Sequence, residues 1–263
     1  MLRRTMEDPV LLVEREGPVA TLTLNRPSSK NALNPPLISA LDDAVRSVAS
    51  DTAIRAVVLT GAGGAFCSGA DLKEGLIGGE EVGARLEELH DVVRGIVRAP
   101  KPFLAAIDGA AVGFGCDLAL ACDLRVLSTR GYLQEIFVKI GLMPDGGGTF
   151  WVPRLVGLGR AMEYLMLGTR IDAALAREVG LANRVVEPGE LARAAATLGA
   201  ELSKGPPLAL AKIKQAVREG FTGGIDDALA REKANQLELL GSEDLGEGVM
   251  AWAQRREPVF KGK

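Results

Sequence analysis

Two kinds of hydrophobic spacing divide the chain. Up to about residue 150, apolar runs of strand length alternate with glycine-rich breaks, whereas beyond Phe150 apolar positions recur at helical spacing. Val10 to Val13 and Val19 to Leu24, separated by Glu16-Gly17-Pro18, predict a β-hairpin at a sheet edge. A helix is predicted from Pro35 to Ser50, with Leu37, Leu41, Ala44, Val45 and Val48 on one face. Ala56 to Thr60 is apolar almost throughout, as expected of a strand covered on both sides. A second helix fits residues 84–98 and carries His90. Phe103 to Ile107 and Leu124 to Leu127 read as strands with a helical segment from about Cys116 between them, and Phe137 to Ile140 reads as a further short apolar strand. The last third predicts helices over 160–167, 173–179, 190–202, 206–218, 225–240 and 245–255, interrupted by one strand at 182–186. The expected class is α/β (α+β), with a core over residues 1–200 and a helical region over 201–263. No repeat of fixed period accompanies this pattern.

Three glycine-rich junctions follow apolar segments, at 61–73, 109–115 and 141–149, and are expected to converge on one end of the sheet, the usual ligand crevice of such folds. None has the G-x-G-x-x-G spacing of a dinucleotide fold or the ending of a P-loop. Residues 75–84 are rich in Gly and Glu and read as mobile. In Gly113-Phe114-Gly115 the glycines allow close backbone approach, and the helix that follows presents unpaired N–H groups suited to an anion. Asp117 falls in its first turn, where it either complements the helix or lies beside the bound group.

Composition narrows the choice. The 263 residues carry a net charge of -3, which provides no general attraction for nucleic acid or an anionic membrane, so a polyanionic ligand must be met by local Lys and Arg. Cys67, Cys116 and Cys122 are odd in number and lie in apolar or glycine-rich settings, as buried free thiols of a reducing, cytoplasmic compartment do. With one His and no C-x-x-C pair, no metal site is expected. The N-terminus lacks the long apolar run of a signal peptide, no segment has the length of a membrane span, and no G-x-S-x-G turn marks a serine hydrolase.

The stretches NRPSSKNAL (25–33), AFCSGADLKE (65–74), AIDGAAVGFGCDLALACDLRV (106–126), IGLMPDGGGTFWVPRLVG (140–157) and REPVFKGK (256–263), in order and over essentially the whole chain, resemble the crotonase superfamily of enoyl-CoA hydratases and isomerases. The resemblance implies a spiral of ββα units, a helical C-terminal trimerisation region, a homotrimer or hexamer, and acyl-CoA thioester substrates, with coenzyme A as part of the substrate and no tightly bound cofactor. It implies that the N–H groups of Ala70 and Phe114 hold the thioester oxygen as an enolate forms, a kind of donor whose loss costs about 2.7–4 kcal/mol of barrier lowering. It implies coenzyme A contacts along Lys30 to Ala32 and Ser68 to Leu72, including Ala70 and Asp71, with Arg26, Lys30 and Lys73 near phosphates, and a C-terminal patch, Phe260 and Lys261, touching coenzyme A on a neighbouring subunit. Of the family's two hydratase glutamates, the first falls on Asp117 and the second on Phe137, which cannot exchange a proton. Glu135 lies two residues away, on the same side if strand-like.

The stretch FVKIGLMPD (137–145) is similar to family isomerases that act on phenylacetate-derived ring and oxepin thioesters, whose acid/base is an Asp in the position of Asp145. Burial in an apolar pocket near Phe137 and Phe114 would raise that carboxyl's proton affinity, and Gly113, Glu135 and His90 are expected to line the substrate pocket with Phe137. The alternative for Asp145 is an N-cap of a helix starting near Gly147. Two further readings stay open: a dehalogenase of the 4-chlorobenzoyl-CoA type with Asp145 as nucleophile and His90 as base, and a coenzyme A-binding protein without catalysis.

Overall fold

The structure, a computed structural model, describes residues 8–73 and 81–263. The residues that open the sequence and most of the Gly/Glu-rich stretch expected to be mobile lie outside the described residues. Strands β1 (Leu11–Glu16) and β2 (Val19–Leu24) form the expected hairpin, with Gly17 at φ +56 in its turn. Helix α1 (Pro35–Ser50) begins on Asn34, whose side chain accepts the Leu37 N–H, and Pro35 supplies the preset φ of a first helical residue. Strand β3 (Ala56–Gly61), helix α2 (Val82–Arg98) and strand β4 (Phe103–Ile107) follow. Next come β5 (Ala110–Val112), α3 (Phe114–Ala121), β6 (Leu124–Ser128) and β7 (Tyr132–Gln134). The remainder is α4 (Gly148–Val156), α5 (Leu158–Leu167), β8 (Ile171–Asp172), α6 (Ala173–Glu178), β9 (Arg184–Val186), α7 (Leu191–Ser203), α8 (Pro207–Glu219), α9 (Ile225–Leu240) and α10 (Glu243–Gln254).

The main sheet runs β1-β2-β3-β4-β6-β9, antiparallel in the hairpin and parallel elsewhere. Its alternating side chains serve two cores. Leu22, Val57, Leu59 and Ala105 face α1 and α2, whereas Val19, Ala56, Val58, Leu104 and Val126 face Leu191, Ala195 and Leu198 of α7. A smaller sheet, β5-β7-β8, leaves the end of the first, and α3 is buried at all eight positions beneath it.

Two expectations are corrected. Phe137–Ile140 is a turn of 3-10 helix rather than a strand, because Gly141, at φ +75, folds the chain back and the Phe137 carbonyl accepts the Leu142 N–H at 3.0 Å. The third glycine-rich junction therefore follows a helical turn. The strand that precedes it is β7, which ends three residues before that turn starts and is too short to announce itself by periodicity.

Candidate active site

The glycine-rich segment after β3 is sewn to the loop after β2 by one buried amide. Asn31, at φ +57, donates from Nδ2 to the carbonyls of Ala62 and Ala65 at 2.9 and 2.8 Å, and its Oδ1 accepts the Arg26 N–H at 2.9 Å. Nothing in the apolar pattern singles out Asn31; the available signal was its tolerance of a left-handed backbone in a polar loop. Leu33 N–H then bonds the Gly69 carbonyl at 2.8 Å and Asp71 N–H bonds the Leu33 carbonyl at 2.9 Å, making Leu33 and Ala70 a parallel bridge. In such a bridge the groups of residues 69 and 71 turn toward Leu33, so those of Ala70 turn away.

On that far side stands the start of α3. Gly69, at φ +92, lies against the Val112–Phe114 turn so closely that a Cβ on it would sit 2.9 Å from the Val112 oxygen and 3.5 Å from the Phe114 nitrogen. Phe114 is the first residue of α3, where an N–H has no partner within its own helix. Among the described residues, neither the Ala70 nor the Phe114 N–H donates a hydrogen bond. Both residues line one cavity of about 120 Å³, with Gly113, Ile136, Phe137, Ile140, Leu142, Leu86 and Leu89 making its walls. Asp145 is the one carboxyl on that wall among the described residues, and its Oδ1 is buried without a partner. A groove of about 720 Å³ between α7 and the main sheet is larger, but of its two carboxyls Asp108 is already paired with Arg130 and Glu16 is exposed.

Burial raises the proton affinity of Asp145 above the ordinary carboxyl range, partly offset by the His90 ring and by its own backbone amide. The alternative reading of Asp145 as a helix cap fails, since Gly147 occupies the cap of α4 and no side chain caps it. His90, expected in the pocket, stands behind it: Nε2 donates to the Asp145 main-chain carbonyl at 2.6 Å, and Nδ1 lies 3.5 Å from Glu87. It fixes the backbone that carries the carboxyl. Arg85, which no motif marked, lines the cavity and pairs with Glu81 at 3.3 Å.

Two expected site residues are displaced inward. Asp117 is wholly buried and Glu135 is 4% exposed, and neither is on the cavity wall. Gly146 covers Asp117 so tightly that a Cβ there would stand 2.6 Å from the Asp117 Cβ and 2.7 Å from the Phe114 ring. One methylene less than a glutamate leaves Asp117 short of the cavity, with its Oδ2 accepting the Gly146 N–H at 3.0 Å. Glu135, just past the end of β7, turns toward Asp117 rather than toward the substrate space, so its assignment to the pocket is corrected.

The residues expected to hold coenzyme A divide as well. Lys30, Leu72 and Lys73 are exposed, Leu72 lining the cavity, Ala32 is buried, and the Ser68 hydroxyl donates to the Ser29 carbonyl at 3.1 Å. Arg26 is engaged with Asp71 at 2.9 Å and with the Ala32 carbonyl, so its charge braces the two loops instead of facing a free phosphate. Phe260 packs near Gly248, off the cavity wall, and the Lys261 N–H bonds Asp244 at 2.6 Å. Among the described residues, no group of His, Cys, Asp and Glu could hold a metal ion, and no helix is long and apolar enough to cross a membrane.

Residues 14–263 match the family model described as enoyl-CoA hydratase/isomerase. A probable enoyl-CoA hydratase of Rhodobacter capsulatus is 39% identical over 93% of this chain and 95% of that protein. The 1,2-epoxyphenylacetyl-CoA isomerase of Escherichia coli is 36% identical over 96% of this chain and 98% of that protein. Among solved structures, an enoyl-CoA hydratase from Bacillus anthracis superposes with a TM-score of 0.93 at 32% identity, covering 97% of this chain and 100% of that one.

Proposed function

The chain belongs to the enoyl-CoA hydratase/isomerase family, with a crotonase fold and acyl-CoA thioester chemistry, and we propose that its reaction is a double-bond isomerisation run by Asp145. The carboxylate takes a proton from a carbon conjugated with the thioester. The electrons move onto the thioester oxygen, where the Ala70 and Phe114 N–H groups hold the developing charge in an apolar setting that strengthens them. The same carboxyl returns the proton at the other end of the allylic system, moving the double bond.

One observation carries this reading: a single carboxyl shares the cavity with two idle amides, and Phe137 occupies the wall nearby. Hydration in this family needs a water held between two carboxylates, and Asp117 and Glu135 both lie behind the wall. Dehalogenation needs a base over the ester, and His90 is held by the main chain. We further propose assembly into a trimer or a dimer of trimers through the helical region, whose Ile213, Val217 and Trp252 are 58, 62 and 82% exposed in one chain. Three buried free thiols are in keeping with a cytoplasmic setting.

The test is turnover of 2-enoyl- and 3-enoyl-CoA thioesters, aliphatic and aryl, in deuterated water. Isomerisation is expected to place deuterium on the α- and γ-carbons with no product heavier by one water. A hydrated product without γ-exchange, or binding without turnover, would refute it.

A further inference from the structure

Asp117 and Glu135 are left over from the chemistry, and their surroundings are unusual. Among the described residues, Asp117 Oδ1 and both Glu135 oxygens are buried without a well-formed hydrogen bond. They face one small gap beside Gly148, since a Cβ on that residue would stand 2.8 Å from Asp117 Oδ1 and 2.9 Å from Glu135 Oε1. Among the described residues, the groups around the gap bring no cation to it. From α3 comes the Cys116 thiol, from the 141–147 loop comes Asp145, from α2 comes His90 on the far side of Asp145, and from α4 come only N-terminal amides. Two ionised carboxylates in such a place repel each other with little to offset it beyond the Gly148 amide on Asp117 and the Cys116 thiol on Glu135, whereas one proton supplies a further donor and removes one of the charges.

We infer that Asp117 and Glu135 share a single proton, resident on Glu135, and that the resulting acid–carboxylate pair positions Asp145 instead of touching substrate. The ionised Asp117 accepts the N–H of Gly146, the residue next to Asp145, and so holds the backbone from which that carboxyl projects. Burial acts in the same sense on both members. It pushes Asp117 up to about 7 against the pull of the Gly146 amide, and it pushes Glu135 well above the carboxyl range with the Asp117 charge adding to it. Cys116, raised by the same burial, stays a neutral thiol. The packing of the pair around Gly148 leaves no room for a side chain there.

The positioning half of this inference rests on Asp145 being the acid/base, and the experiment separates the two halves. Infrared spectra at about pH 8.5, where ordinary carboxyls are fully ionised, are taken on wild-type protein labelled with 13C at the carboxyls of glutamate or of aspartate. One protonated-carboxyl stretch is expected, shifted only by the glutamate label and lost in Glu135→Gln. Its absence in the wild type, or its survival in that variant, overturns the shared proton, and the labelled wild type decides this even if a variant fails to fold. Kinetically, Glu135→Gln keeps the shape and the net charge of the pair, so the acid limb of the pH–rate profile stays in place. Glu135→Ala loosens the backbone under Asp145, where a misplacement of about an ångström costs up to about a hundredfold in kcat. Adding Asp117→Asn to Glu135→Gln replaces the charged acceptor of the Gly146 N–H and lowers kcat below that of Glu135→Gln, with KM nearly unchanged. A kcat in the double variant and in Glu135→Ala equal to that of Glu135→Gln, with the infrared band as expected, overturns the positioning role.

Discussion

Asp145→Asn is expected to lower proton exchange and double-bond migration by about 10²–10⁴-fold, the range a positioned general acid/base contributes. Binding of acyl-CoA should change little. The amide keeps the size and shape of the carboxyl, and the backbone bond from His90 to the Asp145 carbonyl does not depend on the side chain. The loss should therefore fall on kcat and leave KM nearly as it was. The wild-type pH dependence follows from the same burial. Asp145 is protonated up to a higher pH than an ordinary carboxyl, and only its ionised form can accept a proton, so turnover should fall as the pH drops through that raised value. The measurement is steady-state kinetics with solvent-deuterium exchange, alongside thermal unfolding to establish that the variant is folded. Full exchange in a folded Asp145→Asn protein would remove Asp145 from the mechanism.

The second large effect is expected at a residue with no side chain. Gly69 holds φ +92, where an L side chain is strained, and a Cβ on it would crowd the Val112 carbonyl at 2.9 Å and reach the Phe114 nitrogen at 3.5 Å. Gly69→Ala must therefore shift the peptide that carries the Ala70 N–H away from α3. Loss of one donor of this type lowers kcat by about 10²–10³-fold. The accompanying strain costs about 1–3 kcal/mol of stability, which leaves a folded protein to assay. Unchanged kcat in a folded Gly69→Ala enzyme would mean that the Ala70 amide does not face the reacting oxygen.

Most of the fold was legible because local rules and tertiary packing agree. Pro35–Ser50 carries its cap, its proline and its apolar stripe together, and Val19–Leu24 and Phe103–Ile107 have strand-length apolar runs bounded by turn residues. The errors fall where a segment is too short to show a period. The four residues at 137–140, three of them apolar, fit a strand or a turn of helix equally well, and Tyr132–Gln134 and Ile171–Asp172 are strands of three and two residues. For the site, the resemblance carried Ala70, Phe114 and Asp145 to one wall, because motif order and loop placement survive in the backbone. Depth did not survive. Whether Asp117 reaches the cavity turns on one methylene and on how closely Gly146 packs over it, and the direction of Glu135 depends on where β7 ends. Spacing also says nothing about which charges are already matched, which is why Arg26 reads as a phosphate ligand until Asp71 is found beside it.

The carbonyl stretch of an unreactive acyl-CoA thioester, recorded by isotope-edited infrared difference spectroscopy when the ligand is free and when it is bound, tests the central claim most directly. Two N–H donors at positions 70 and 114 polarise that carbonyl, so its stretch is expected at lower frequency in the complex than in water, with most of the shift lost in Gly69→Ala. A bound thioester that absorbs where the free one does would contradict the account.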